Sequence, residues 1–280
     1  MLERNIDVRG LSLRLRERGA GPLCTLVHGW LDHAGSFDRL APLLPGRTVA
    51  YDQRGHGDSS WAGAGAFYHF VDYVADLDGL IGALDAEGPV RLVGHSMGGA
   101  VALFYAALRP ERVAHLTLLD GAPFRIHAGE VPDRFAGWLD DLGMDRRRRT
   151  VSSVEEARTR LLRNNPRLSP EAVATLAEPI GPDPEQNGSL AWKWDPLLRA
   201  RSPLPVTEDV TQELLGRVRA PVLVLRAEKG ILPDEGALRD RFSRIAKLHV
   251  ETVEGAGHHL HLEGPETVAA RIRNAWGGMQ

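Results

Sequence analysis

Ser96 stands in Gly94-His95-Ser96-Met97-Gly98, directly after the apolar run 90–93 and before a helical stretch that begins near Gly99. This G-x-S-x-G spacing suits a sharp strand-to-helix turn: side chains at the glycine positions would collide with neighbouring backbone, and the serine hydroxyl is left exposed above a sheet. The following helix would point its positive end at the hydroxyl, favouring the negative charge that develops in acyl transfer. A hydroxyl is a weak nucleophile near neutral pH and needs a base. Of eleven histidines, His258 in Gly255-Ala256-Gly257-His258 follows the last strand-like run, where a loop at the carboxyl edge of a parallel sheet could carry its imidazole over Ser96. A tetrahedral intermediate also needs two N–H donors. The backbone N–H of Met97 offers one and that of Trp30, in His28-Gly29-Trp30, offers the other, with the Trp30 indole as a wall of the site. His28 reads as a residue that orders this loop.

Histidines also invite a metal reading, because His259, His261 and Glu263 follow His258 closely. Alternation along a short loop would spread these side chains in different directions, so no metal and no other cofactor is expected. The turn-rich stretch Asp52-Gln53-Arg54-Gly55-His56-Gly57-Asp58-Ser59 reads as a hydrogen-bonded scaffold, with Arg54 and Asp58 expected to pair beneath the Trp30 loop.

The elements that must position these residues follow from periodicity. Apolar runs at 23–27, 48–51, 90–93, 113–119, 222–225 and 248–253 alternate with amphipathic stretches at 37–44, 67–84, 100–108, 235–245 and 265–276. Strand alternating with helix means a parallel sheet covered on both faces. With an antiparallel hairpin over 6–18, eight strands are expected. The rhythm breaks over 124–207, where charges, prolines and tryptophans replace strand-like runs and helices are expected at 153–164 and 170–176. This reads as a helical cap inserted into a core of 1–123 plus 208–280. Phe124, Trp138, Trp192 and Trp194, with Trp30, are its candidate pocket walls. The arginine run 146–149 lies among aspartates and reads as a solvated helical face.

Composition narrows the partner. The chain has 280 residues, 43% hydrophobic and 25% charged, and a net charge of −3, which gives no general attraction for nucleic acid or anionic membranes. The mean hydropathy of −0.23 is that of an ordinary globular chain. A small-molecule acyl substrate is the expected partner; composition does not fix the oligomeric state. Cys24 is the single cysteine, in a run where a thiol behaves as a buried hydrophobe, and the first residues lack the basic-then-apolar pattern of a secretory leader. Both point to the cytoplasm.

Four motifs together resemble the α/β-hydrolase fold over nearly the whole chain: His28-Gly29-Trp30, the stretch from Asp52 to Ser59, Gly94-His95-Ser96-Met97-Gly98-Gly99, and Gly257-His258 followed by Leu262-Glu263 and Pro265-Glu266. The stretches from His28 to Pro45 and from Asn164 to Leu176 resemble, more narrowly, the serine hydrolase-like proteins. The resemblance implies an Asp soon after the seventh strand, but Arg226-Ala227-Glu228-Lys229-Gly230 puts a glycine there. Asp120, which ends the sixth strand, is the candidate replacement, because some haloalkane dehalogenases of this fold are similar in taking their acid from that strand. Glu228 is the alternative acid, and a two-member site is the third possibility. The expected reaction is serine-dependent hydrolysis of a carboxylic ester. Thioester, lactone, amide or carbon-carbon bond hydrolysis, or a binding protein that has lost turnover, are the alternatives.

Overall fold

A computed structural model describes residues 1–143, 148–183, 186 and 188–278. The first half of the chain forms β1 (Leu2–Val8), β2 (Leu11–Arg18), β3 (Leu23–Val27), β4 (Arg47–Tyr51), α1 (Phe70–Ala83), β5 (Val90–His95), α2 (Met97–Leu108) and β6 (Val113–Leu119). Next come α3 (Val131–Leu142), β7 (Thr150–Val151), α4 (Val154–Asn164), α5 (Pro170–Leu176), β8 (Ile180–Pro182) and β9 (Leu190–Trp192). The chain closes with α6 (Glu208–Leu215), β10 (Val222–Lys229), α7 (Glu235–Arg241), β11 (Leu248–Gly257), α8 (Leu260–Glu263) and α9 (Pro265–Gly278).

Eight strands make one sheet in the order β1-β2-β4-β3-β5-β6-β10-β11. The β1–β2 and β2–β4 pairs are antiparallel and every other neighbouring pair is parallel. Both faces are buried, so inner strands read as continuous apolar runs. Along β10, Val222 and Val224 join the core under α1 and α2, whereas Leu223 and Leu225 join the core under α9 with Val268, Ala269 and Ile272. That alternation is the period of two expected of a strand.

Several element bounds differ from the sequence reading. Residues 37–44 form no helix; they span two short 3₁₀ turns, Ala34–Phe37 and Ala41–Leu43, because Pro42 and Pro45 interrupt a continuous ladder. β10 continues to Lys229 and β11 to Gly257, with a bulge between Ala227 and Lys229, so Glu228 and Gly255 belong to the sheet edge rather than to loops. Among its described residues the stretch 124–207 adds no strand to the main sheet, but it is not helical throughout: β7, β9 and β8 form a three-stranded antiparallel sheet of their own. Its helices begin where the sequence supplies caps, Ser153 accepting from the Glu156 N–H and Ser169 from the Ala172 N–H. Arg146 and Arg147 lie outside the described residues. Arg148 is not on a helix and stacks over the Trp61 ring at 4.4 Å.

Arg241 of α7 fastens both ends of that stretch. It donates to the Pro123 carbonyl at 2.7 Å just before residue 124 and pairs with the Glu208 carboxylate at 2.7 Å just after residue 207. The Glu208 N–H also donates to the Ile126 carbonyl at 2.6 Å, drawing the two ends together.

Candidate active site

The carboxyl edge of the sheet collects the chemistry-bearing residues. Ser96 joins β5 to α2 with φ 52° and ψ −120°, a strained conformation for a residue with a side chain. Its neighbours permit the turn only because they are glycines. A Cβ on Gly98 would lie 2.1 Å from the Val27 carbonyl oxygen, and one on Gly121 would lie 2.4 Å from that of Ser96. Gly98 was legible from the motif, whereas Gly121 packs onto the turn from the end of β6, a contact made only in three dimensions.

Asp120 is wholly buried and has a positive φ of 42°. Its Oδ2 lies 2.7 Å from His258 Nδ1 and accepts from the Ile231 N–H at 2.9 Å, while Oδ1 accepts from the Ala227 N–H at 3.1 Å. Burial alone would push this carboxyl up, but the His258 hydrogen bond and the two backbone donors outweigh it and hold the group below the usual carboxylate range. Because a carboxylate only accepts, the Nδ1–H of His258 donates to it, leaving Nε2 free of the proton and able to act as a base. Ser96 Oγ makes no hydrogen bond to His258 among the described residues; such contacts commonly tighten only with substrate bound.

Gly230 occupies the space beside this carboxylate. A Cβ built on it would stand 2.1 Å from Asp120 Oδ2, so the glycine makes room for an acid arriving from β6. Glu228, the rival acid, points elsewhere: its Oε2 accepts from the Gly255 N–H at 2.7 Å, tying β10 to β11.

The loop after β3 runs against Ser96, where a Cβ on Gly29 would be 3.1 Å from the Ser96 Cβ. Two buried histidines shape it. His28 donates from Nδ1 to the Gly29 carbonyl at 2.7 Å and accepts at Nε2 from the Gln53 N–H at 2.9 Å. His56 donates from Nδ1 to the Arg54 carbonyl at 3.0 Å and accepts at Nε2 from the Leu31 N–H at 3.1 Å. Burial pushes the first down to about 3 and the second down to about 4, so both are neutral near pH 7 and serve as fixed donor-acceptor struts. Leu31 is thus tied to the 52–59 loop at the positive φ of 56° that turns the chain after Trp30. The expected Arg54–Asp58 pair does not form. Arg54 reaches Asp76 at 2.6 Å and Asp58 pairs with Lys193 at 2.7 Å, because α1 presents the better-buried carboxylate to the guanidinium.

A cavity of about 450 Å³ opens beside Ser96 and Met97. Trp30 and Phe124 line it, together with Phe70, Phe104, Ile126 and Val206. The Trp30 indole donates to the Leu198 carbonyl at 3.0 Å, which fixes the ring at the rim. The other three expected pocket walls are elsewhere. Trp138 packs edge-on against Phe67 and Phe135. Trp192 and Trp194 pack on the main core, Arg199 lying over the Trp194 ring at 5.0 Å.

The histidines after His258 do not spread apart. His259 and His261 turn inward beside His95 and Asp32, whereas His258 faces Asp120 and Glu263 turns back to accept from the Gly257 N–H at 2.8 Å. The expectation of a short loop that spreads these side chains does not hold, because the chain becomes helical from Leu260, with His259 at the cap of α8.

No described helix is long and apolar enough to cross a membrane. Residues 26–271 match the family model described as "Alpha/beta hydrolase family". The chain is 36% identical over 273 residues to a serine hydrolase-like protein of Danio rerio, covering 91% of this chain and 80% of that protein. It is 30% identical to 2-(acetamidomethylene)succinate hydrolase of Mesorhizobium japonicum, covering 98% and 94%. Among solved structures, a hypothetical protein of Pseudomonas aeruginosa PAO1 superposes with a TM-score of 0.86 at 33% identity, covering 98% of this chain and 99% of that one.

Proposed function

The chain belongs to the alpha/beta hydrolase family and is a hydrolase, and from that premise we propose that it cleaves carboxylic esters through an acyl-enzyme formed on Ser96. His258 Nε2 takes the Ser96 proton as Oγ attacks the ester carbonyl, and the backbone N–H groups of Trp30 and Met97 hold the resulting oxyanion. His258 then gives that proton to the leaving alcohol. Water, deprotonated by the same nitrogen, releases the acid. Asp120 holds the imidazole in the tautomer that makes Nε2 the base and stabilises the imidazolium that forms.

The observation that carries this reading is the buried Asp120 carboxylate, 2.7 Å from His258 Nδ1 and anchored by two backbone N–H groups, at the same sheet edge as the strained Ser96 turn. A binding protein without turnover drew its support from the glycine at 230, and that support goes once the glycine is understood as room for Asp120. The cavity is mostly apolar, with Arg134, Arg199 and Arg201 also on its lining, which favours an apolar acyl chain. In the same reading 124–207 is a cap over a core of 1–123 plus 208–280, contributing Phe124, Ile126 and Leu198 to the cavity.

A panel of nitrophenyl esters of increasing acyl length, with thioester and lactone arms, tests the proposal on the purified chain, alongside fluorophosphonate labelling of Ser96. Ester turnover and labelling that both vanish in Ser96→Ala are expected. Turnover that survives in Ser96→Ala refutes the serine mechanism, and labelling without ester turnover moves the substrate to another acyl class.

A further inference from the structure

Behind the proposed catalytic groups lies a second cluster that the hydrolytic reading does not use. Asp32 comes from the loop after β3, His95 immediately precedes Ser96, and His259 and His261 follow His258. One ligand atom from each lies within 4.8 Å of the others. Asp32, His95 and His261 are buried, His261 completely. Among the described residues, Asp32 Oδ2, His95 Nδ1, His259 Nδ1 and both ring nitrogens of His261 have no hydrogen-bond partner.

The pattern at His95 shows what is missing. Its Nε2 is 2.9 Å from the His258 carbonyl oxygen, which only accepts, so Nε2 carries a proton, while Nδ1 makes no hydrogen bond of its own among the described residues. That nitrogen faces Asp32 Oδ2 at 3.8 Å, too far for a hydrogen bond. A carboxylate oxygen and the nitrogens of three imidazoles, gathered within 4.8 Å of one another without hydrogen bonds to hold them there, form a donor set that a cation among them would satisfy. A second-nitrogen bond to a backbone carbonyl is also how metal-binding histidines are commonly oriented.

We infer that Asp32, His95, His259 and His261 form a closed binding site for a divalent transition-metal ion of the zinc class. Three imidazoles and one carboxylate suit Zn²⁺ or Co²⁺ rather than Ca²⁺ or Mg²⁺, which take oxygen ligands. Four ligands about 2.0–2.1 Å from a tetrahedral ion stand roughly 3.3 Å apart, so the cluster closes on an ion with side-chain movements on the order of 1 Å. With all four positions filled by protein, no place remains for an activated water and the ion is structural. It joins the Trp30 loop, the Ser96 turn and the His258 loop at one point, and so fixes the relative positions of the groups that the hydrolytic reading needs. This inference stands on the cluster alone and does not depend on the ester assignment.

The test uses the full chain stripped with a chelator and titrated with Co²⁺, followed by displacement with Zn²⁺. One equivalent of Co²⁺ with the visible absorption of a four-coordinate ion is expected, lost again as Zn²⁺ replaces it. Free Zn²⁺ at 100 times its Kd should raise the melting temperature by about 5 °C. Asp32→Asn and His261→Ala should each weaken binding at least tenfold, while His249→Ala, on the exposed end of β11, leaves it unchanged. No binding of either ion, or an unchanged cobalt spectrum in His261→Ala, overturns the inference. Should those variants fail to fold, crystals of the unaltered chain grown with Zn²⁺ decide the matter. An anomalous peak among the four side chains supports the site, and a peak elsewhere or none refutes it.

Discussion

Asp120→Asn tests the relocated acid most directly. The carboxylate accepts three hydrogen bonds, from Ala227 N–H, Ile231 N–H and His258 Nδ1–H. An asparagine of the same shape has one oxygen and one NH₂, so two of those donors, Ile231 N–H and His258 Nδ1–H, cannot both be met at the Oδ2 position if the amide nitrogen sits there. The fold keeps its backbone anchor by placing the amide oxygen at one N–H, and the imidazole then accepts at Nδ1 and carries its proton on Nε2, where it cannot take one from Ser96. The same exchange in a serine protease costs roughly 10⁴ in turnover, or about 5.4 kcal/mol of barrier. Hydrolysis of a nitrophenyl butyrate, read as kcat/KM with the thermal melt as a check on folding, should fall by that order in Asp120→Asn and by less than about tenfold in Glu228→Gln. Gly230→Ala supplies an independent arm. Gly230 does not have a positive φ, so alanine meets no backbone strain there, only the collision at 2.1 Å with Asp120 Oδ2. It should therefore lose at least tenfold with Asp120 intact. The exchange Asp120→Gly with Gly230→Asp removes that collision and offers a carboxylate from the later strand. An Asp120→Asn enzyme within tenfold of the unaltered one, or a silent Gly230→Ala, would refute the assignment.

Ser96→Gly should abolish turnover yet raise the melting temperature by a few degrees, because it releases roughly 1–3 kcal/mol of backbone strain; a melt below that of Ser96→Ala contradicts this. The struts His28 and His56 are held neutral by burial, at about 3 and about 4. Their unfolded pKa is near 6.5, so below that pH the unfolded chain binds two protons that the folded chain refuses. Stability is therefore lost as pH falls from about 6.5 towards 4, by up to about 2.7 kcal/mol per pH unit, and urea unfolding at pH 7, 6 and 5 should show the decline that a flat profile would exclude. Arg241→Met frees the Pro123 carbonyl and leaves the nearly buried Glu208 with Gln212 at 2.9 Å and the more distant Arg125 at 3.8 Å, which should cost up to about 3 kcal/mol while fluorophosphonate still labels Ser96 in the folded fraction. Ala100→Leu narrows the cavity from α2, so activity on long acyl chains should fall more than activity on acetate esters; equal losses would place the acyl chain elsewhere.

The residues that were legible in the sequence are those whose neighbours in the chain impose their geometry. Ser96 is forced outward by Gly94 and Gly98 between a strand and a helix, and periodicity alone marks those two elements. Asp120 could be weighed against Glu228 because each ends or lies near a parallel strand whose carboxyl edge is common to all. What separates them is the direction of each carboxylate, which depends on the bulge between Ala227 and Lys229 and on the positive φ of Asp120. Neither has a local signature. The tryptophans failed for a related reason: Trp138, Trp192 and Trp194 are apolar enough to wall a pocket or to fill a core, and only the packing of α3 and of the small three-stranded sheet decides between them.

The histidine stretch shows how neighbours in the chain can hide where side chains go. Read as a short loop, the stretch gives His259, His261 and Glu263 no common direction, and nothing carries them under the Ser96 turn. The chain instead enters α8 at Leu260, and Glu263 folds back to the Gly257 N–H, pinning the turn. His258 is left facing Asp120 while His259 and His261 descend towards His95 and Asp32, residues 164 and more positions earlier in the chain. Convergence over such separations is a property of the strand order β3-β5-β6-β10-β11. The sheet that brings Ser96, Asp120 and His258 to one edge therefore also gathers the four side chains beneath them, and the cluster could be found only after the strand order was in hand.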